Sequence, residues 1–223
     1  RYKFMKKIYI SNYLKEINIE KDLLNQFDLI QNKKDLKDCI GAIIWHERFP
    51  EDFKNLDSIK AVSRYGAGVD NINFQYCNSH NIRVCNTTDY GTEEVSNTAL
   101  AFLLWAARGI GEYSNLALNL NDGSWESNII PSVRRVNKQT LGIIGLGRIG
   151  SSLALKASFI GFDVLGFDPN QITGHEKIIG IKRVNELDEL LEKSDFISLN
   201  CDLNSSTFEM VDDSFLNKLK PNA

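Results

Sequence analysis

Leu141-Gly142-Ile143-Ile144-Gly145-Leu146-Gly147-Arg148-Ile149-Gly150 is a short apolar run that passes directly into glycines spaced G-x-G-x-x-G. The run reads as a buried strand, and the residues after Gly150, to about Ile160, read as a helix. A strand that turns on glycines into a helix suits a dinucleotide: Gly145 permits the tight turn and Gly147 lets the backbone approach a pyrophosphate. Gly150 lets the helix pack closely on the strand. Backbone N–H groups and the positive end of the helix dipole then receive the phosphates. A further strand at 163–167 ends on Asp168, 23 residues after Gly145. An acid there accepts the hydroxyls of an adenosine ribose and repels a 2′-phosphate, which favours NAD over NADP. The plainer reading is that Asp168 only opens a turn with Pro169 and Asn170.

Working outward, short apolar runs alternate with amphipathic stretches, the pattern of an α/β fold with parallel strands. Strands are expected at 7–10, 41–45, 60–63, 83–85 and 196–200. Helices are expected at 22–30, 74–79, 185–193 and 213–219. A long helical segment should run from Thr92, as N-cap, to about Leu120, with Val95, Leu100, Leu103 and Leu104 forming an apolar face. Gly109 and Gly111 should interrupt it, and Asn121-Asp122-Gly123 should form a turn. Two domains are expected, 1–92 and 93–223. The apolar helix face suits core packing or, equally, a subunit or domain interface; as an interface it points to a homodimer, because such a face needs burial.

The 223 residues carry 26 Lys plus Arg against 29 Asp plus Glu, a net charge of −3. That balance gives no field for gripping a polyphosphate, so nucleic acid is not an expected partner. No apolar run nears the roughly 20 residues a membrane span requires. The four cysteines, Cys39, Cys77, Cys85 and Cys201, are scattered without a CxxC pair, which fits a reducing cytoplasmic setting. With the three histidines, they form no expected metal site. Met5-Lys6-Lys7 before a short apolar run reads as a natural start, and too short an apolar stretch follows for a signal peptide.

Further segments then point one way. They are Ser63-Arg64-Tyr65-Gly66-Ala67-Gly68-Val69-Asp70-Asn71-Ile72, Val84-Cys85-Asn86, Tyr90-Gly91-Thr92-Glu93-Glu94-Val95, Thr98-Ala99-Leu100, Leu187-Asp188-Glu189-Leu190-Leu191, Ser194-Asp195-Phe196 and Lys220-Pro221. With the glycine signature, and 17 residues between Gly150 and Asp168, the sequence resembles the D-isomer-specific 2-hydroxyacid dehydrogenases from about residue 40 onward. The resemblance leans to the branch of phosphoglycerate dehydrogenases, glyoxylate reductases and carboxy-terminal binding proteins. It implies a Rossmann-type doubly wound parallel sheet, incomplete here, beside a smaller flavodoxin-like α/β substrate domain.

By the same resemblance, the N–H groups of Ala67 and Gly68 hold a substrate carboxylate. Arg64, just before that loop, is read from its position as contacting a second anionic group or as forming a surface salt bridge. Thr98, Gly145, Gly147, Arg148, Ile149, Gly150, Asp168, Cys201, Asp202 and Thr207 hold NAD, although position 202 is usually proline in the family. The implied activity is hydride transfer between NAD(H) and a small D-2-hydroxy or 2-keto acid in an interdomain cleft. The catalytic Arg, Glu and His of the family lie beyond the Lys-Pro segment, hence beyond Ala223, so residues 1–223 alone are not expected to turn over. The 79 residues from Gly145 suffice for about four strands of a six-stranded domain, which marks the sequence as part of a longer protein. His46, His80 and His175 are poor replacements for the acid: His80 sits in a polar Asn-Ser-His-Asn stretch, and His175 lies on the adenine side. His46, after the strand ending at Trp45, suits packing or an auxiliary role. The rival reading is an NAD-sensing, protein-binding module.

Overall fold

The computed structural model describes residues 5–31, 35–118 and 130–223, which divide into two compact units, 1–90 and 91–223. The turn expected at 121–123 and the end of the helix at Leu120 lie outside the described residues.

Unit 1 begins with β1 (Lys7–Ile10), α1 (Asn18–Leu23), β2 (Asp28–Ile30) and β3 (Cys39–Ile44). It continues with β4 (Ala61–Arg64), α2 (Phe74–Ser79) and β5 (Arg83–Asn86). The sheet is parallel in the order β2-β1-β3-β4-β5, the flavodoxin-like order. Its core gathers Tyr9, Leu36, Ile44, Phe49, Val62 and Cys77, all fully buried.

The helix expected at 22–30 is corrected. α1 ends at Leu23, a turn closes from Phe27 N–H to the Leu24 carbonyl, and residues 28–30 pair with β1 in register Lys7↔Asp28 to Tyr9↔Ile30. A parallel partner gives Leu29 and Ile30 a ladder and a half-buried face, which outweighs the local preference for another helical turn.

Unit 2 opens with α3 (Thr92–Ala107) and α4 (Ile110–Leu118), separated at Gly109 with φ +56°. Thr92 is not the N-cap: that position is Gly91, without a side-chain cap, and Thr92 is the first helical residue. Glu93 and Glu94 still place negative charge at the positive end of the helix. Leu103 is buried and Leu100 and Leu104 pack on the same core, whereas Val95 is exposed. Val95 therefore does not belong to the packed face.

Next come β6 (Thr140–Ile144), α5 (Arg148–Ile160), β7 (Asp163–Phe167), α6 (His175–Ile178) and β8 (Lys182–Arg183). α7 (Leu187–Lys193), β9 (Phe196–Leu199) and α8 (Asp213–Asn217) follow. The parallel sheet runs β8-β7-β6-β9, the 3-2-1-4 order of a Rossmann half. The period of two along β6 feeds two cores. Leu141 and Ile143 join Leu153, Ala154, Ala157 and Leu103, while Ile144 joins Leu190, Leu191 and Phe215 on the opposite face. Helices thus cover both faces, as doubly wound sheets require.

Ion pairs reinforce the seams of unit 2. Asp195, 8% exposed, accepts from Thr140 N–H at 2.8 Å, from Arg134 Nη2 at 2.8 Å and from Lys220 Nζ at 3.3 Å. Burial would raise its carboxyl, but these donors together hold it below the usual range.

Candidate functional site

In unit 2 a cavity of about 490 Å³ opens at the carboxyl ends of β6, β7 and β9. Gly145, Gly147, Asp168, Cys201, Asp202 and Thr207 all line it, although they come from three separate stretches of sequence. Gly145 has φ +91°, and a Cβ there would lie 2.6 Å from the Cys201 nitrogen, so an L side chain is excluded twice. A Cβ on Gly150 would collide with the Gly145 carbonyl, which is what close packing of α5 on the loop requires. A Cβ on Gly147 would meet nothing within 4 Å. That space is open beside an N-terminus of α5 that no side chain caps, so the first-turn N–H groups are available to a diphosphate.

Asp168 does more than either sequence reading required. Its Oδ2 accepts from Leu146 N–H at 2.8 Å, inside the glycine loop, while Oδ1 accepts from Asn170 and Gln171 N–H at 2.8 and 3.1 Å. The turn role and the place on the cavity wall coexist in one carboxylate. The loop is also held by Gln171 Nε2 and Ser151 Oγ, each 2.9 Å from the Leu146 carbonyl. His175 Nε2 lies 2.9 Å from Ser151 Oγ, and Arg183 Nη2 donates to the Asp168 carbonyl at 2.8 Å. None of Ser151, Gln171 and Arg183 was singled out from sequence, because a polar side chain acting on a loop up to 25 residues away leaves no local signature.

The other expected cofactor residues sit differently. Arg148 and Ile149 form the first turn of α5 but do not line the cavity. Thr98 is exposed on α3 and turns its hydroxyl back to the Glu94 carbonyl at 2.8 Å. Thr207 Oγ1 donates to the Asp202 carbonyl at 2.6 Å, and the Asp202 carboxylate accepts from Asn204 Nδ2 at 3.1 Å. These bonds shape the far wall. Burial, with Asp202 and Asp168 adding to it, pushes the Cys201 thiol up, so it remains protonated and apolar.

In unit 1 the loop after β4 turns at Gly66, φ +141°, where a Cβ would collide with the Arg64 guanidinium. Arg64 therefore lies directly against the loop, and its Nε is buried with no hydrogen-bond partner among the described residues. The N–H groups of Ala67 and Gly68 are exposed and donate to no acceptor among the described residues. Asn86 Nδ2 holds the Ala67 carbonyl at 2.7 Å, and Asn71 Nδ2 holds the Glu47 and Trp45 carbonyls at 2.7 and 3.2 Å. Free N–H donors beside a guanidinium whose Nε has no partner among the described residues are suited to an anion.

Glu47, missed in the sequence, is 0% exposed. It accepts from Tyr9 Oη at 3.0 Å, Ser11 Oγ at 2.8 Å and Trp45 N–H at 2.8 Å. Burial works against its charge, yet these donors hold its carboxyl below the usual range. Burial, with the same carboxylate adding to it, pushes the Tyr9 phenol up.

The histidines are engaged locally. His46 stacks on Trp45 at 4.7 Å and His80 on Tyr76 at 4.0 Å, and both are exposed. Among the described residues no three His, Cys, Asp or Glu side chains gather as metal ligands, and no helix is long and apolar enough to cross a membrane.

The family profile described as D-isomer specific 2-hydroxyacid dehydrogenase, NAD binding domain, matches residues 100–223. A Staphylococcus epidermidis protein whose name carries the words 2-hydroxyacid dehydrogenase is 31% identical over 98% of this chain and 72% of its own length. The chain belongs to the D-isomer specific 2-hydroxyacid dehydrogenase family. Among solved structures it is similar to the D-lactate dehydrogenase of Aquifex aeolicus complexed with NAD and lactic acid, with TM-score 0.83 and 25% identity. That likeness covers 96% of this chain and 66% of the Aquifex chain, so the present chain spans slightly less than two thirds of it. A glyoxylate reductase from Paecilomyes thermophila, 21% identical with TM-score 0.78, shares the fold over 96% of this chain and 71% of its own. The cavity with Gly145, Gly147 and Asp168 lies within the residues matched by that NAD binding domain profile.

Proposed function

We propose that the protein containing this chain is an NAD-dependent oxidoreductase acting on D-2-hydroxy acids and the matching 2-keto acids. The observation that carries the reading is the glycine-lined cavity at the ends of β6 and β7, with Asp168 on its wall. When bound, NAD(H) supplies or accepts the hydride exchanged with C2 of the acid. Gly147 and the first turn of α5, with Arg148, Ile149 and Gly150, receive the diphosphate. Asp168 takes the ribose hydroxyls, Cys201, Asp202 and Thr207 border the adenosine half, and Thr98 touches the cofactor from α3.

Unit 1 is proposed as the substrate domain. Ala67 and Gly68 donate two N–H bonds to the substrate carboxylate while Arg64 neutralises it, which places a charged group on charged and oriented donors. The groups that polarise the carbonyl and protonate its oxygen are assigned outside residues 1–223, because His46, His80 and His175 are engaged in local stacking or hydrogen bonding.

The assembly is proposed as a homodimer covering Phe102, 70% exposed, and Trp105 on α3. The four unpaired cysteines support a reducing, cytoplasmic setting. The test is oxidation of NADH by full-length protein over a panel of 2-keto acids. Turnover of at least one, with NADH preferred to NADPH, is expected; no turnover of any would sink the reading.

A further inference from the structure

Among its cavities unit 1 holds one of about 380 Å³, within the usual range for small-molecule pockets. Its wall is Leu14, Trp45, Tyr65, Gly66, Thr87 and Tyr90. Leu14 follows β1, Trp45 follows β3, Tyr65 and Gly66 follow β4, and Thr87 and Tyr90 follow β5. All therefore lie beyond the carboxyl ends of their strands, where open α/β sheets bind ligands. Gly66 belongs both to this wall and to the loop bearing the free N–H groups of Ala67 and Gly68. From these observations we infer that the cavity receives the side chain of the substrate, and that the substrates are monocarboxylic 2-keto acids with a bulky, uncharged side chain, aromatic or branched aliphatic. The inference rests on the reductase reading above and narrows it.

Three features carry the choice of class. First, among the described residues no charged side chain lines the cavity. The Tyr65 hydroxyl is turned away to Glu20 Oε1 at 2.6 Å, so Tyr65 offers its ring rather than its oxygen. Second, large aromatic surface faces solvent there: Tyr90 is 69% and Trp45 36% exposed. A ligand without a side chain, such as glyoxylate, would leave that surface wet. Third, among the described residues Arg64 is the cation against the glycine loop, and the carboxylate claims it. A phosphorylated acid would bring a second anion to an apolar wall backed by the Glu20 carboxylate, at high desolvation cost. The Trp45 main chain is held by Glu47, whose carboxylate accepts its backbone N–H at 2.8 Å, and by Asn71, which donates to its backbone carbonyl at 3.2 Å.

The experiment measures kcat/KM of full-length protein with NADH for phenylpyruvate, 2-keto-4-methylvalerate, pyruvate, glyoxylate and 3-phosphohydroxypyruvate. Phenylpyruvate should exceed glyoxylate by about 100-fold or more, since each methylene in an apolar pocket gives roughly 10–200-fold. Trp45→Ala and Tyr90→Ala, at solvent-exposed positions, should each shrink that ratio by about tenfold. Preference for glyoxylate or 3-phosphohydroxypyruvate overturns the inference and leaves the reductase reading standing. If no 2-keto acid turns over, the reductase reading falls and binding decides the cavity's ligand class. Phenyllactate should then quench tryptophan fluorescence saturably in the parent, with the signal lost in Trp45→Phe. Absence of that quench overturns the inference as well.

Discussion

The two units solve one problem, presenting free backbone N–H groups at the carboxyl end of a parallel sheet, by different means. In unit 2 the donors belong to a 13-residue helix, and the glycine loop before it is fastened by Asp168, Gln171 and Ser151. In unit 1 the donors belong to a bare loop, Ala67 and Gly68, steadied by Asn86 and backed by Arg64. A helix supplies aligned N–H groups from its own hydrogen-bonding pattern, so the side chains around it need only fix the approach. A loop has no such alignment, so unit 1 fixes its neighbouring segments through buried polar groups, above all Glu47.

The largest effect expected from this contrast is at Glu47. Glu47→Ala strands three donors, Tyr9 Oη, Ser11 Oγ and Trp45 N–H, and should lower unfolding free energy by about 3 kcal/mol in chemical denaturation. No polar group around the glycine loop of unit 2 should cost as much. The pH dependence follows the same carboxylate. Its pKa is lower folded than unfolded, so its contribution is present above the unfolded value and is lost as pH falls through the folded one. Parent stability should decline on acidification below about pH 4.3, and Glu47→Gln should flatten that decline; an unchanged profile would refute the assignment.

Next in size, Gly147→Val should weaken NADH binding by about tenfold or more while leaving the denaturation midpoint unchanged, because the space beside Gly147 is open in the protein. A fall in both would show that the space serves the fold. Asn86→Ala, which frees the Ala67 carbonyl, should raise the KM for keto acid about fivefold with NADH affinity retained, as expected for one hydrogen bond of about 1 kcal/mol. Equal loss of both affinities would erase the division of labour between the units. Smallest is Glu189→Ala, which removes an exposed i,i+4 pair with Lys193 and should shift stability by only about 0.3–0.5 kcal/mol.

What was legible in the sequence was local. β6, the glycine turn, α5 and Asp168 lie within 29 residues, and each signals through neighbours in the chain. The flavodoxin-like order of unit 1 followed from family resemblance, not from pattern. β2 was read as helix because three residues become a strand only by pairing with β1, about 20 positions earlier. Lys182 and Arg183, the whole of β8, carry no apolar signal; they pair with β7. Glu47 was invisible for the same reason: its partners Tyr9 and Ser11 lie 38 and 36 residues away, and a Glu after Trp45-His46 reads as solvated surface until the fold buries it. Val95 misled by composition, since an apolar residue near a helix start need not share the packed stripe.

Asp168 also constrains how this chain could change over evolutionary time. Its two carboxylate oxygens fasten Leu146 and the 170–171 turn, so on the proposed reading, in which Asp168 takes the ribose hydroxyls, the residue surrendered to welcome NADP is also a rivet of the loop beneath it. A one-step exchange to a small neutral residue would loosen the cradle at the moment it removed the barrier. A viable lineage must first install other support, and Gln171 and Arg183, already bonded to the same loop and turn, are the places to look for it.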